Sequence, residues 1–331
     1  MRALVIGGTL FIGRRLVRLL LAEGHEVAVM HRRARHDLGP EVENLVADRN
    51  DPEAVRRVLR GRRFDWVFDN VYDWERGTTA AQVEATARAC GGVARYVFMS
   101  SVAAYGEGLD RAEDDPLAPP SHPEPYAANK AASERALFRL HREHGFPAVT
   151  LRPPYVYGPG NPFYREAFFW DRFADRRPVI VPGDGSRLMH FVYVCDLAEA
   201  CLLAAKMPRA AGEAFNIAHE RPVTQEELVY AFARAAGVEP EIVPVPREII
   251  QAEGGSVFGP GNLYFGVYFD MPPITEKIGK AKRLLGFRPS DFDATLRETY
   301  EWYRRHHRRP SIDYRFEDRL IELARRRYAP S

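Results

Sequence analysis

The chain has 331 residues, 46% of them hydrophobic, and a formal net charge of +2. That is ample apolar side chain for a large core in one large or two small domains. The near-neutral balance leaves no electrostatic footprint for nucleic acid, although 42 arginines stand against 5 lysines, and no apolar run approaches the length of a membrane span. Cys90, Cys195 and Cys201 are odd in number and lie in apolar settings. They read as buried thiols in a reducing compartment, with no spacing that suggests a metal. The first strand is predicted from residue 3, which leaves no room for a signal peptide, so a cytoplasmic location is expected.

Residues 3–6 form a short apolar run with β-branched members, a buried strand. Residues 14–23 carry Leu16, Val17, Leu19, Leu20 and Leu21 at helical spacing, ending at Gly24. Between them stand Gly7, Gly8, Thr9, Leu10, Phe11, Ile12 and Gly13. Gly7 permits a tight turn and Gly13 lets the helix pack close on the strand. The N–H groups at the helix start can then face a pyrophosphate, where the helix dipole favours negative charge. Leu10 replaces the middle glycine of a Gly-x-x-Gly-x-x-Gly pattern. Either Gly8 takes its place or the backbone approaches the phosphate differently. Alone, the turn also fits a strand–helix junction with no ligand.

A second strand at 26–30 runs into His31, Arg32 and Arg33. NAD enzymes usually place a carboxylate there for the ribose 2′-hydroxyl. Two guanidiniums suit a 2′-phosphate instead, so NADP is favoured over NAD. Surface arginines in an Arg-rich chain are the alternative. Asp51 caps a helix at 52–59, a strand follows at 66–68, and a helix at 78–90. A strand at 96–99 ends in Ser100 and Ser101. A long helix at 126–143 precedes a strand at 148–151. This alternation predicts an α/β fold, a Rossmann-type doubly wound parallel sheet with helices on both faces. Ligands of such sheets sit outside the C-terminal strand ends, where Ser100 and Ser101 fall.

After Arg152 the pattern changes. Prolines and aromatics crowd 153–170, and a strand-like 179–181 precedes Gly183-Asp184-Gly185. Residues 190–194 lead into a helix at 196–205, 214–217 read as one more strand, and Thr224 caps a helix reaching 236. Residues 244–275 are rich in proline and glycine and read as a substrate lid or flexible loop. Helices are predicted at 280–286 and 294–306. The basic run 304–309 is followed by Glu317, Asp318 and Glu322, which suits a solvated helix better than a nucleic-acid arm. The expected domains are a dinucleotide-binding domain at 1–165, with 190–218 returning to it. A smaller, loop-rich substrate domain takes 166–189 and 219–331.

Tyr126 and Lys130 open the long helix four residues apart, on one face and about 6 Å apart along the axis. A free tyrosine titrates near pH 10. A fixed cation beside it favours the phenolate and makes the phenol usable as a general acid or base. An exposed surface pair at a helix start is the alternative, but the pair follows a strand ending in Ser100-Ser101 and a dinucleotide-type turn.

The glycine turn, Ser101-Val-Ala-Ala-Tyr105-Gly106 and the Tyr126/Lys130 pair resemble the extended short-chain dehydrogenase/reductases, the NAD-dependent epimerase/dehydratase family. The likeness continues through Arg152-Pro-Pro-Tyr-Val-Tyr-Gly-Pro159, Gly183-Asp-Gly185, residues 190–196 and 280–289, covering about 1–306. The resemblance implies an NAD(P)-dependent oxidoreductase or epimerase acting by hydride transfer on a sugar-nucleotide-like or related hydroxyl or carbonyl substrate. Ser101 would hydrogen-bond the substrate oxygen, Tyr126 would exchange the proton, and Lys130 would bond the nicotinamide ribose. It places Asp48 by the adenine, though a turn residue flanking a helix is an equal reading. Asn70, Ser100, Pro153, Tyr155 and Val156 would border the cofactor. Tyr105, Tyr155, Arg187 and His190 would join Ser101 toward the substrate. Asp69 and Asn70 replace a small apolar turn of the family. Tyr155 and Met189 replace the Asn and Arg that typically grip a nucleotide sugar.

Relatives commonly dimerise through the helices at 78–90 and 126–143. A homodimer is therefore expected, with Val83, Ala87, Ala131, Ala136 and Leu140 offering small, apolar surfaces, although the same residues would equally suit packing against their own sheet. Two rival readings stand beside the first. One is a reductase of a non-nucleotide carbonyl compound. The other is an RNA-binding member with vestigial chemistry, because the Gly-Gly-Thr-Leu-Phe-Ile-Gly turn also resembles chloroplast stem-loop RNA-binding relatives.

Overall fold

The structure is a computed structural model that describes residues 1–259 and 261–328. Its chain divides into two compact units. The first holds 1–156, 191–220 and 274–289, and the second holds 157–190, 221–273 and 290–331. In chain order the elements begin with β1 (Arg2–Ile6), α1 (Phe11–Ala22), β2 (Glu26–His31), β3 (Glu43–Val46), α2 (Pro52–Leu59), β4 (Trp66–Asp69), α3 (Ala80–Ala89) and β5 (Arg95–Met99). Next come β6 (Gly108–Arg111), α4 (Pro125–His144), β7 (Ala148–Arg152), β8 (Tyr155–Tyr157), α5 (Glu166–Ala174), β9 (Val179–Pro182), β10 (Leu188–Met189), β11 (Phe191–Tyr193) and α6 (Val194–Lys206). The rest are β12 (Ala214–Asn216), β13 (Val223–Thr224), α7 (Gln225–Ala236), β14 (Ile242–Val245), α8 (Arg247–Ala252), β15 (Ile274–Glu276), α9 (Gly279–Leu284), α10 (Phe292–His306) and α11 (Arg315–Tyr328).

In the first unit, seven strands among the described residues form one sheet in the order β12-β7-β5-β4-β1-β2-β3. Its strand pairs are all parallel. The order reverses at β1, so right-handed crossovers on either side put helices on both faces. α1 packs on α6, and α3 packs on α4. Strands buried on both faces read as continuous apolar runs. β4 and β5 are buried along their whole length, and Leu4, Ile6, Met30, Val67 and Phe98 meet in one core. Asp51 caps α2 as predicted, accepting from Glu53 N–H and Ala54 N–H at 3.0 Å each.

Several expectations change. α1 starts at Phe11, three residues before the predicted start, so Gly13 lies within its first turn. The tract 274–289 belongs to the first unit, because β15 pairs with β6, while 157–165 belongs to the second. Val83, Ala87, Ala131, Ala136 and Leu140 are at most 4% exposed. They are packed inside the chain, the alternative to a dimer face.

The second unit is built on aromatics. Phe169 meets Phe232 at 4.9 Å and Phe265 at 5.1 Å, and Trp170 donates to Phe232 O at 3.2 Å. Two short strand pairs, β9 with β14 and β10 with β13, brace it. Thr224 caps α7 in a reciprocal box with Glu227. The buried Asp171 carboxylate accepts from Tyr164 and Tyr303, each at 2.6 Å. Within 244–275 the chain packs in places against its own unit. Phe265 and Phe269 are buried, and Asp270 accepts from Arg187, Arg247, Gln225 and Tyr264. No helix among the described residues is long and apolar enough to cross a membrane.

Candidate functional site

The turn after β1 is fixed by backbone sterics. Gly7 has φ +82°, and a Cβ on Gly13 would lie 2.0 Å from the Gly7 carbonyl oxygen. Only hydrogen fits there, so α1 can begin directly over the strand end. Gly8 is closed in by Val29, which a Cβ would meet at 2.5 Å. Thr9 accepts from Arg14 Nε at 3.1 Å through its carbonyl. Leu10, at the N-cap, makes no side-chain cap hydrogen bond and is 57% exposed. Phe11 takes φ +37°, and Ile12 is half-buried. The first N–H groups of α1 are thus left for an anion.

Asn70 stands beside this turn, its N–H donating to Ile6 O at 3.2 Å. Both polar atoms of its side-chain amide are buried and have no hydrogen-bond partner among the described residues. A buried amide left unpaired costs about 1–3 kcal/mol. An anion-ready helix start, a closed glycine cradle and an orphaned amide at the sheet's reversal point together fit a dinucleotide. Gly13→Val is expected to push α1 off the strand, at about 3 kcal/mol of stability, and to abolish dinucleotide binding. Thermal melting with and without dinucleotide checks both effects.

At the ends of β2 and β3 the side chains are mostly polar and open. Arg32 and Arg33 are exposed, and Arg32 Nη1 lies 3.5 Å from Asp73. His31 accepts from Arg33 N–H at 3.2 Å, and burial lowers its pKa, helped by the charges of His36 and Arg33. Asp48 accepts from Asn50 N–H at 2.8 Å and pairs with Arg76 at 2.7 Å. Burial raises its pKa, but those two partners outweigh it and hold the carboxyl below its usual range. Asp69 faces inward instead, accepting from Tyr96 at 2.7 Å and from Arg49.

The end of β5 gathers the proposed chemistry. Ser101 caps a short turn, accepting from Ala103 N–H at 3.2 Å, and Val102 N–H bonds Pro153 O at 2.9 Å. Pro153 is therefore held beside Ser101. Lys130 is buried and donates to Met99 O at 2.6 Å, two residues before Ser101. Its ammonium lies 5.6 Å from the Tyr126 ring, 5.5 Å from Tyr72 and 4.9 Å from Phe98. Burial pulls its pKa down to about 8. Tyr126 is half-buried; Trp74 stacks on it at 4.8 Å and Tyr72 meets it edge-on at 4.7 Å.

Other predicted residues are placed differently. The Ser100 hydroxyl donates to Glu134. Tyr105 is buried, donating to Asn216 at 2.7 Å and accepting from Arg152 at 2.6 Å. Burial pushes its pKa up. Tyr155 is half-buried against Phe191 at 5.6 Å, and Val156 is buried. In the second unit, Arg187 is occupied by Asp270 at 2.9 Å and by two carbonyls, and His190 is only 1% exposed.

The sequence also missed a network behind the site. Glu134, one turn after Lys130 on α4, accepts from Arg152 Nη2 at 2.7 Å and from Thr150 at 3.2 Å. Glu134 and Arg152 are both buried. The pair ties α4 to β7. The signal in the sequence was a glutamate continuing the Tyr126–Lys130 face, opposite an arginine at a strand end.

Residues 3–218 match the NAD dependent epimerase/dehydratase family. The chain is 30% identical over 313 residues to the chloroplast stem-loop binding protein of 41 kDa b of Arabidopsis thaliana, covering 88% of this chain and 76% of that protein. It is 28% identical over 254 residues to 2′-dehydrokanamycin reductase of Streptomyces kanamyceticus, covering 75% and 70%. Among solved structures, the UDP-glucose 4-epimerase of Thermus thermophilus, a complex with NAD, matches with a TM-score of 0.72 and 30% identity, over 92% of this chain and 99% of that one.

Proposed function

Because the chain belongs to the NAD dependent epimerase/dehydratase family and is an enzyme of that type, we propose that it moves hydride between a nicotinamide dinucleotide and a hydroxyl or carbonyl carbon of a small molecule. The observation that carries this is Lys130. Its ammonium is fastened to the strand end that bears Ser101 and lies 5.6 Å from the Tyr126 ring. When bound, the dinucleotide supplies or accepts the hydride. The turn Gly7–Gly13 and the start of α1 hold its pyrophosphate, and the Asn70 amide supplies polar contacts beside them. Ser101 donates a hydrogen bond to the substrate oxygen and fixes it for Tyr126. Tyr126 gives that oxygen a proton in reduction and takes it back in oxidation. The Lys130 charge favours the phenolate that this exchange passes through. Deuteride transfer from labelled NADPH into a carbonyl pool, read by mass spectrometry, tests the reading; no transfer above a Tyr126→Phe control would end it.

We further propose a preference for NADP, read by the exposed Arg32 and Arg33. Replacing both by Ala is expected to remove charge-assisted pairs worth about 1.5–3 kcal/mol each, leaving NAD binding nearly unchanged. Titration of both cofactors checks this; equal losses would show that no 2′-phosphate is read there.

A sugar-nucleotide-like substrate is one form of the reading. A specific observation favours the other, a non-nucleotide carbonyl compound: Arg187 is already paired with Asp270. The likeness to a stem-loop binding protein keeps an RNA-binding role in view, and the intact Ser101, Tyr126 and Lys130 set speaks for catalysis.

A further inference from the structure

The segment between β4 and α3 is short but heavily braced. Asp73 accepts from Glu75 N–H at 3.0 Å and Arg76 N–H at 2.9 Å through one carboxylate oxygen. The other oxygen pairs with Arg76 at 2.7 Å and lies 3.5 Å from Arg32. Asp73 N–H donates to Thr78 at 3.0 Å, Thr78 donates to Asn50 at 3.0 Å, and Asn50 donates to Gly77 O at 2.6 Å. Asn129, from α4, donates to the Tyr72 hydroxyl at 3.2 Å. The turn is therefore locked to the loop after β3 and to α4.

What this bracing fixes is Trp74. Its indole lies nearly flat on the Tyr126 ring, at 4.8 Å and 25°. Tyr72 closes the group edge-on, 4.7 Å from Tyr126 and 5.2 Å from Trp74. Even so, Trp74 is 56% exposed. A large aromatic that packs on a general acid while keeping over half its surface accessible is placed to meet what the acid meets. A proton-transfer group must come within about 2.6–3.2 Å of the substrate oxygen. The groups on the reacting carbon then lie beside the phenol, against the indole. Flat rings gain most from such a surface, through offset stacking and edge contacts.

Resting on the reading that Tyr126 exchanges the proton, we propose that Trp74 is a specificity-determining residue. Held on Tyr126 by the Asp73 turn, it selects carbonyl substrates with a flat, apolar ring next to the reacting carbon. Asp73 is its positioning residue.

The test compares kcat/KM for 4-nitrobenzaldehyde and butanal, with NADPH oxidation as the readout, in the full chain. Trp74→Ala is expected to lower the aryl-to-alkyl ratio about 10-fold, the size of one good aromatic contact, and Trp74→Phe to restore most of it. Asp73→Asn should lower the ratio in the same direction. Because Trp74 is exposed, thermal melting of Trp74→Ala should stay near the wild type. An unmoved ratio, or failure of the wild type to turn over the aryl aldehyde, overturns the proposal. Failure of the underlying reading looks different: Tyr126→Phe would keep wild-type rates on both aldehydes.

Discussion

Tyr126→Phe is expected to cut turnover by about 100-fold or more while fold and dinucleotide binding survive. The substitution removes only a hydroxyl. The ring contacts with Trp74 and Tyr72, at 4.8 and 4.7 Å, depend on the ring and stay. Loss of activity with an unchanged melting temperature therefore isolates proton transfer. The pH profile supplies a second check. Burial lowers the Lys130 pKa to about 8, against the raising effect of the Asp69 carboxylate. The ammonium is present below that value and lost above it. Turnover should accordingly fall as pH rises through about 8, as the cation proposed to support the phenolate disappears. Lys130→Met should be poorly active across the range and bind dinucleotide more weakly. Full activity of Tyr126→Phe on a wild-type substrate would reassign the proton-transfer group.

Glu134→Ala is expected to destabilise the fold by about 3–5 kcal/mol, because it strands the buried Arg152 guanidinium without its counter-charge. Ser100 and Thr150 lose their acceptor in the same stroke. The damage reaches the site, since Tyr126 and Lys130 ride on the helix that Glu134 anchors. Glu134→Gln keeps hydrogen-bonding capacity and should lose less. Adding Arg152→Met to Glu134→Gln should recover part of the loss, because removing both charges relieves the unpaired one. Urea unfolding reads these effects as midpoint shifts at constant slope. Equal stability for wild type and Glu134→Ala would show that the pair contributes nothing net.

The central strands were legible because burial on both faces leaves an uninterrupted apolar run, as in Val67–Phe68 and Val97–Phe98. β3 was not, because an edge strand with only Leu45 buried carries no such run. β6 is polar and finds its partner β15 more than 160 residues later, so no local pattern announces it. The glycine turn and the Tyr126/Lys130 pair were legible because backbone sterics and helical spacing act over a few residues. Asn70 was expected at the cofactor, and its unpartnered amide suits that place. The intrachain partners of Ser100, Tyr105 and Arg187, namely Glu134, Asn216 with Arg152, and Asp270, were not legible because residue type does not tell which way a side chain faces. The anchors Glu134 and Arg152, the Asp69–Arg49 pair and the Trp74 stack were missed because each depends on a partner supplied by the tertiary fold.

The division of each unit into three separated stretches governs how the protein can be made. Six strands of the main sheet lie before residue 153, but the strand that covers β7 comes only with 214–216. Until then the nascent chain carries a bare sheet edge, a template for pairing with another copy. Neither unit can close before its last stretch emerges, at 274–289 and 290–331. Contacts so distant along the chain make for slow folding, and residues 1–156 expressed alone should collect in inclusion bodies.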